Sequence, residues 1–237
     1  MSDETVYIGI DLGTSRTSIT TSLGLRETVW SYVGYPKDHV AMKKFGGRSI
    51  IYGQEAVDNR LALNLHRPLA GGSIKVSGVE DSDETKKAVK DLLEHIVKLA
   101  NVPKEKNIFA VIGAPAEASY VDKTAIFDAA AGSVNACMII SEPFAVAYAL
   151  DMLDHTIVID IGAGTADICR VYGTIPEPGD QMHIPQAGDL IDARLIEEIQ
   201  RKYNGAQITK DMSRRWKEQY SFTSASTPEE PILVDFS

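Results

Sequence analysis

Two short runs each set an aspartate before glycine and small hydroxyl residues. One holds Asp11, Gly13, Thr14 and Ser15, and the other holds Asp160, Gly162, Ala163, Gly164 and Thr165. Glycine lets a backbone approach an anion closely, and successive amides in a tight turn point at it, so each run suits a phosphate-binding turn. Thr165 adds a hydroxyl beside those amides. Either run alone is weak evidence, because buried strands often end in Asp and Gly simply where turns favour them. The matched pair is stronger. Setting Asp11 on Asp160 brings Gly13 onto Gly162, with an apolar strand before each turn and an alternating run after it. Two homologous hairpins are implied. Two carboxylates facing each other across phosphates repel unless a cation lies between them, which implies magnesium. That ion gives up its waters reluctantly, so Asp11 and Asp160 are expected to hold it mainly through water.

Rival phosphate motifs fail on their own terms. Gly162 and Gly164 open a Gly-x-Gly, but Asp167 stands where the third glycine is needed. Residues 168–172 then alternate as a strand, whereas the dinucleotide fingerprint must open a helix. No Gly-x-x-x-x-Gly-Lys-Ser/Thr run occurs.

The elements that must position these turns follow from periodicity. Residues 6–12 and 17–23 read as a hairpin and 25–33 as a third strand. From 34 to 78 the pattern breaks into short pieces with two Gly-Gly pairs and two prolines, as expected of a small irregular insertion. Residues 83–100 form a helix with Val89, Leu92, Leu93, Ile96 and Ala100 on one face, behind an Asp81/Glu84 capping box. A strand over 107–113, a helix over 117–131 stopped by Gly132 and a strand over 136–140 come next. A helix over 142–153 carries Pro143 in its first turn, where no amide donor is needed. After the second hairpin, residues 189–203 show an apolar face of Leu190, Ala193, Leu195, Ile196 and Ile199, and 213–222 suggest a further helix.

Composition narrows the partners. The 237 residues carry a net charge of -9, which argues against nucleic acid, whose binding begins with a basic footprint. Cys137 and Cys169 lie in apolar runs without metal-site spacing, which suits two buried thiols in a reducing compartment. No stretch is apolar enough to insert into a bilayer. A soluble cytoplasmic protein is expected.

The two turns resemble the phosphate-1 and phosphate-2 motifs of the actin superfamily, which spans actin, bacterial actins, heat-shock chaperone ATPases and sugar kinases. The resemblance implies an α/β actin-like fold of duplicated ribonuclease-H-like domains. It divides the chain into subdomain IA (1–33 and 78–145), IB (34–77), an incomplete IIA (146–188) and the start of IIB (189–237). Residues 141–144 match the segment called connect 1, which implies that Glu142 orients the attacking water, with Asp160 beside it as a catalytic group. Without the resemblance, Glu142 is equally a favourable charge at a helix start. Among bacterial actins the chain most resembles the filament proteins of magnetosome chains, including residues 33–37, 110–113, 141–144 and 160–169. That likeness implies nucleoside contacts from Lys217 and Glu218 and an approach to the ribose at Gly188 and Asp189. The plain alternatives are a solvated charge pair and an N-cap.

What the resemblance implies is an ATP hydrolase using ATP (or GTP) and Mg2+, whose nucleotide-dependent filaments organise magnetosomes. Its partners would be itself and magnetosome-associated proteins, in a cytoplasmic cytoskeleton. The family's adenosine motif, a strand with a glycine-rich turn, is not found after Lys217, so the C-terminal part of the fold is expected to be missing. The strand over 156–161 would then have a bare edge prone to association, and nucleotide binding would be weak. A regulatory or non-polymerising short paralogue is the alternative. A sugar or acid kinase is the other, although no separate substrate base is evident.

Overall fold

Alternation in the first dozen residues sends one set of side chains inward and the other outward, and the backbone follows it. In the computed structural model, which describes residues 5–69 and 82–223, β1 (Thr5–Leu12) turns back into β2 (Arg16–Thr21), with Leu12 opposite Thr17 and Asp11 opposite Ser18. β3 (Arg26–Trp30) continues the antiparallel run.

β4 (Val33–Pro36) leaves that sheet. It heads a small unit with α1 (His39–Lys44), β5 (Ile51–Tyr52), α2 (Gly53–Asp58) and β6 (Leu63–His66), whose strands pair in the order β5-β4-β6. Phe45, Ile51, Ala56 and Leu63 give it a core of its own. The irregular insertion expected here is an ordered three-stranded sheet. Strands of two to four residues are too short to show alternation in a sequence.

α3 (Ser82–Leu99) then leads into β7 (Asn107–Ala114), α4 (Tyr120–Ala130), β8 (Ala136–Ser141) and α5 (Glu142–Ala149). Asp81 of the expected capping box lies outside the described residues. β7 lies parallel to β1, and β8 to β7, completing a five-stranded sheet in the order β3-β2-β1-β7-β8. α4 starts at Tyr120 rather than at 117, because Ser119 and Asp122 form a reciprocal capping box that fixes the first turn. α5 stops at Ala149, short of 153, and Asp151 just beyond it takes a left-handed φ of 55° that ends the helix.

The second hairpin is β9 (Thr156–Ile161) and β10 (Ala166–Val171). β11 (Gln181–Ile184), not expected from the sequence, pairs with β10 to give the order β11-β10-β9. α6 (Gly188–Lys202) and α7 (Lys210–Tyr220) close the described chain. α7 begins at Lys210 rather than 213, capped by the Thr209 hydroxyl, which accepts from the Met212 amide. The apolar face expected on α6 is only partly covered, and Leu190 remains 40% exposed. Its buried residue is the charged Asp192.

One face of the large sheet forms the main core: Val6, Ile8, Ile10, Ile19 and Ile112 cluster with Val89, Leu92, Leu93 and Ile96 of α3 and Ile126 of α4. The other face leaves Tyr7, Phe109, Val111 and Met138 exposed. α5 covers one face of the second sheet through Phe144 and Ala147 against Val158, Cys169 and Val171. Among the described residues β9 pairs only with β10, and its Ile157, Ile159 and Ile161 are 67%, 63% and 71% exposed. Leu93 is fully buried in the main core, so Leu93→Ala should lower unfolding stability by about 2–5 kcal/mol, read from the urea midpoint at unchanged slope.

Candidate functional site

Sheet register brings Asp11 and Glu142 together. Asp11 ends β1 beside Gly113 of β7, and Gly113 lies beside Ile140 of β8, so Glu142, opening α5, arrives next to Asp11. A Cβ on Gly113 would lie 3.1 Å from Glu142 Cγ. Glycine is what lets that side chain come so close. In the second hairpin Asp160 stands opposite Asp167, and Ile161 opposite Ala166. Superimposing Asp11 on Asp160 therefore carries the cross-strand pairs of one hairpin onto the other, as the sequence repeat implied.

The two turns meet. A Cβ on Gly164 would fall 2.7 Å from Thr14 Oγ1, so no larger residue fits there without separating them. The first turn is braced by Ser31, whose hydroxyl donates to the Gly13 carbonyl at 2.6 Å and whose amide donates to Ser15 O at 3.0 Å. The second turn closes through Gly162 N donating to Thr165 O at 2.8 Å. It is tied to α6 by Gly188 N to Gly162 O at 3.2 Å and Asp189 N to Ala163 O at 2.7 Å. Asp189 is not an N-cap. The cap is Ala187, and Asp189 lies in the first turn with its carboxylate turned to Arg67.

Lys217 is not a solvated partner of its neighbour Glu218. Its ammonium donates to Gly188 O at 2.8 Å and lies 2.6 Å from Asp192 Oδ1, an ion pair rather than an aligned hydrogen bond. Glu218 stays exposed at the rim.

Asp11, Gly13, Thr14, Ser15, Glu142, Asp160, Gly162, Ala163, Gly164, Thr165, Gly188, Asp189, Lys217 and Glu218 all line one cleft of about 520 Å³. Ser31, Asp167 and Arg214, not among the site residues expected from the sequence, also brace the site. Asp167 is buried, with Oδ1 accepting from Ala116 N and in contact with His183 Nδ1, each at 2.9 Å. Arg214 is buried near Asp189, Asp192 and Asp211 at 3.9, 3.8 and 4.0 Å. Its position one helical turn before Lys217 was a legible signal.

The carboxylates repel. Burial first, then Asp11, Asp160 and Asp167, pushes Glu142 up to about 8. Burial and the Asp160 charge raise Asp11, and burial and the Asp167 charge raise Asp160. Among the described residues no lysine or arginine pairs with Asp11, Glu142 or Asp160, since Lys217 and Arg214 are engaged at the α6 side. A cleft with two amide-rich turns and an uncompensated carboxylate group is arranged for an anion that brings its own cation.

A family model described as MreB/Mbl protein matches residues 5–234. The chain belongs to the MreB/Mbl family. This MreB/Mbl chain is similar to the actin-like protein MamK of Magnetospirillum gryphiswaldense, with 41% identity over 220 residues, 93% of this chain and 60% of that protein. It thus spans well under two thirds of that relative's length. Its fold is similar to the MamK double helical filament, with a TM-score of 0.88 and 39% identity over 95% of this chain and 67% of that one. It is also similar to a non-polymerising MamK mutant bound to AMPPNP, with a TM-score of 0.69 and 39% identity over 96% and 68% of the two chains. The α/β actin-like fold is established by these likenesses.

The raised Glu142 carries a sign. A carboxyl that titrates near 8 in the folded chain and near 4.5 ordinarily holds its proton more tightly when folded. The stability it contributes is complete below 4.5 and is lost as pH rises through about 8. Glu142→Gln should therefore flatten the fall in stability between pH 5 and about 8.5, as followed by urea melts at several pH values. Parallel pH profiles would contradict the charge crowding at Glu142.

Proposed function

We propose that this MreB/Mbl chain binds a nucleoside triphosphate, ATP or GTP, as its magnesium complex between the two turns, and hydrolyses it. The observation that carries the reading is the contact of two like-folded, amide-rich turns beside three carboxylates without a cationic partner. A relative that binds AMPPNP and another that forms a double helical filament support it. The reading extends to filament assembly by the chain itself, cytoplasmic and engaged with magnetosome-associated proteins. The exposed isoleucines of β9 are consistent with self-association.

Magnesium fits the residues present. Asp11 and Asp160 are both raised by burial and neighbouring charge, which a cation would relieve. An ion that keeps its waters and leans on phosphate oxygens needs no closed cage of protein ligands. When bound, the metal supplies charge neutralisation at the phosphates.

In this reading the protein's own groups do the rest. Amides of Gly13, Thr14 and Ser15 and of Ala163 to Thr165 grip phosphate oxygens, with the Thr14 and Thr165 hydroxyls beside them, while the Gly162 amide keeps the second turn closed. Glu142, at the start of α5, orients the attacking water, and Asp160 supports it. Gly188, Asp189, Lys217 and Glu218 line the side that receives the nucleoside. The chain divides into subdomains IA, IB, IIA and IIB along the boundaries read from the sequence.

Glu142→Ala should lower phosphate release by about a hundredfold or more while leaving nucleotide-driven assembly intact, because ground-state binding does not use that carboxylate. Phosphate release measured beside light scattering tests this, and unchanged hydrolysis would remove Glu142 from its role. Asp11→Ala or Asp160→Ala should weaken magnesium-dependent nucleotide affinity far more than folding. Thermal melts with and without magnesium nucleotide separate the two effects, since a ligand that still binds must still stabilise. Loss of folding with intact ligand stabilisation would make these aspartates structural.

A further inference from the structure

Arg67 follows β6, outside both turns, yet its guanidinium joins them. Nε donates to the Thr14 carbonyl of the first turn at 3.0 Å. Nη1 and Nη2 donate to Asp189 Oδ2 and Oδ1 at 2.7 and 3.2 Å. Asp189 in turn donates its amide to the Ala163 carbonyl of the second turn. A continuous path therefore runs from the first turn through Arg67 and Asp189 to the second turn, starting from the small three-stranded unit. Its central pair is well shielded, with side chains 17% and 32% exposed, and the Tyr32 ring lies 5.9 Å from the guanidinium carbon. The forked, two-oxygen geometry adds directional constraint to the charge.

We propose that Arg67 is a positioning residue that fixes the spacing of the two phosphate turns, coupling the small β4–β6 unit to anion grip across the cleft. It does not line the cleft. It acts through the Thr14 carbonyl and Asp189, and a shift of about 1 Å in groups that must converge on one ligand is costly. Three hydrogen bonds from one side chain to a carbonyl and both oxygens of a carboxylate suit a guanidinium, and a lysine ammonium cannot reproduce the fork. A purely electrostatic or packing role would tolerate lysine. A spacing role would not.

This inference rests on the nucleotide reading above, and its test separates the two. Spin labels at Val40→Cys on α1 and Gln200→Cys on α6, in a Cys137→Ser background, report the distance between the small unit and the second half without any ligand. Arg67→Ala and Arg67→Lys should both broaden and lengthen that distribution. Calorimetry with magnesium AMPPNP and with magnesium tripolyphosphate, which has no ribose, should show a loss of about tenfold in both variants and for both probes. Arg67→Ala combined with Asp189→Ala should lose no more tripolyphosphate affinity than the worse single variant, because one path is broken only once. An unchanged distance distribution, full rescue by lysine, a loss confined to AMPPNP, or additive losses would each overturn the proposal. If the wild-type chain binds neither probe, the nucleotide reading falls, and the spacing role is decided by the label distances alone.

Discussion

The contact between Thr14 and the missing side chain of Gly164 is the constraint on which the arrangement depends. Two turns from separate sheets approach until a single methyl group would force them apart. For that to happen, both hairpins must share the same cross-strand pairing, and they do. The intervening elements must also deliver the second hairpin to the mouth of the first. α5 does so by leaving β8 of one sheet and packing on β9 and β10 of the other. Ser31 on one side and the first amides of α6 on the other then hold the turns in shape.

The same convergence creates an electrostatic cost. Asp11 and Asp160 end equivalent strands, and Glu142 enters beside Asp11 over Gly113. Burial first, and then neighbouring carboxylates that include Asp167, hold all three above their ordinary titration range. A fold concerned only with stability would place a cation or an apolar group here. On the proposed function, a metal cation brought in with an anionic phosphate ligand would relieve that crowding. Among the described residues, the apolar side chains of β9 and of the outer side of the large sheet stay exposed.

Much of this was legible in the sequence because the information was local. The hairpins were read from alternation, the turns from glycine and hydroxyl spacing, and α5 from a proline tolerated in a first turn. The small sheet was not, since Ile51–Tyr52 is too short to show a period. α4 was placed early because Ser119 and Asp122, not apolar spacing, decide where it starts. On α6 the apolar stripe marks the helix, but not its buried residue, Asp192, which pairs with Lys217 from another helix. Arg67 and Asp167 escaped for the same reason: their partners lie 122 and 51 residues away, and no local pattern announces such a contact.

On the proposed function, the two turns and their carboxylates form one site for a phosphate chain with its metal. Calorimetric titration of the chain with AMPPNP, in the presence of magnesium and again with the metal chelated, tests it most directly. The account predicts binding that requires magnesium and is lost in Asp11→Ala and Asp160→Ala while the folded state persists. Binding of equal strength without the metal, or in both variants, would contradict it.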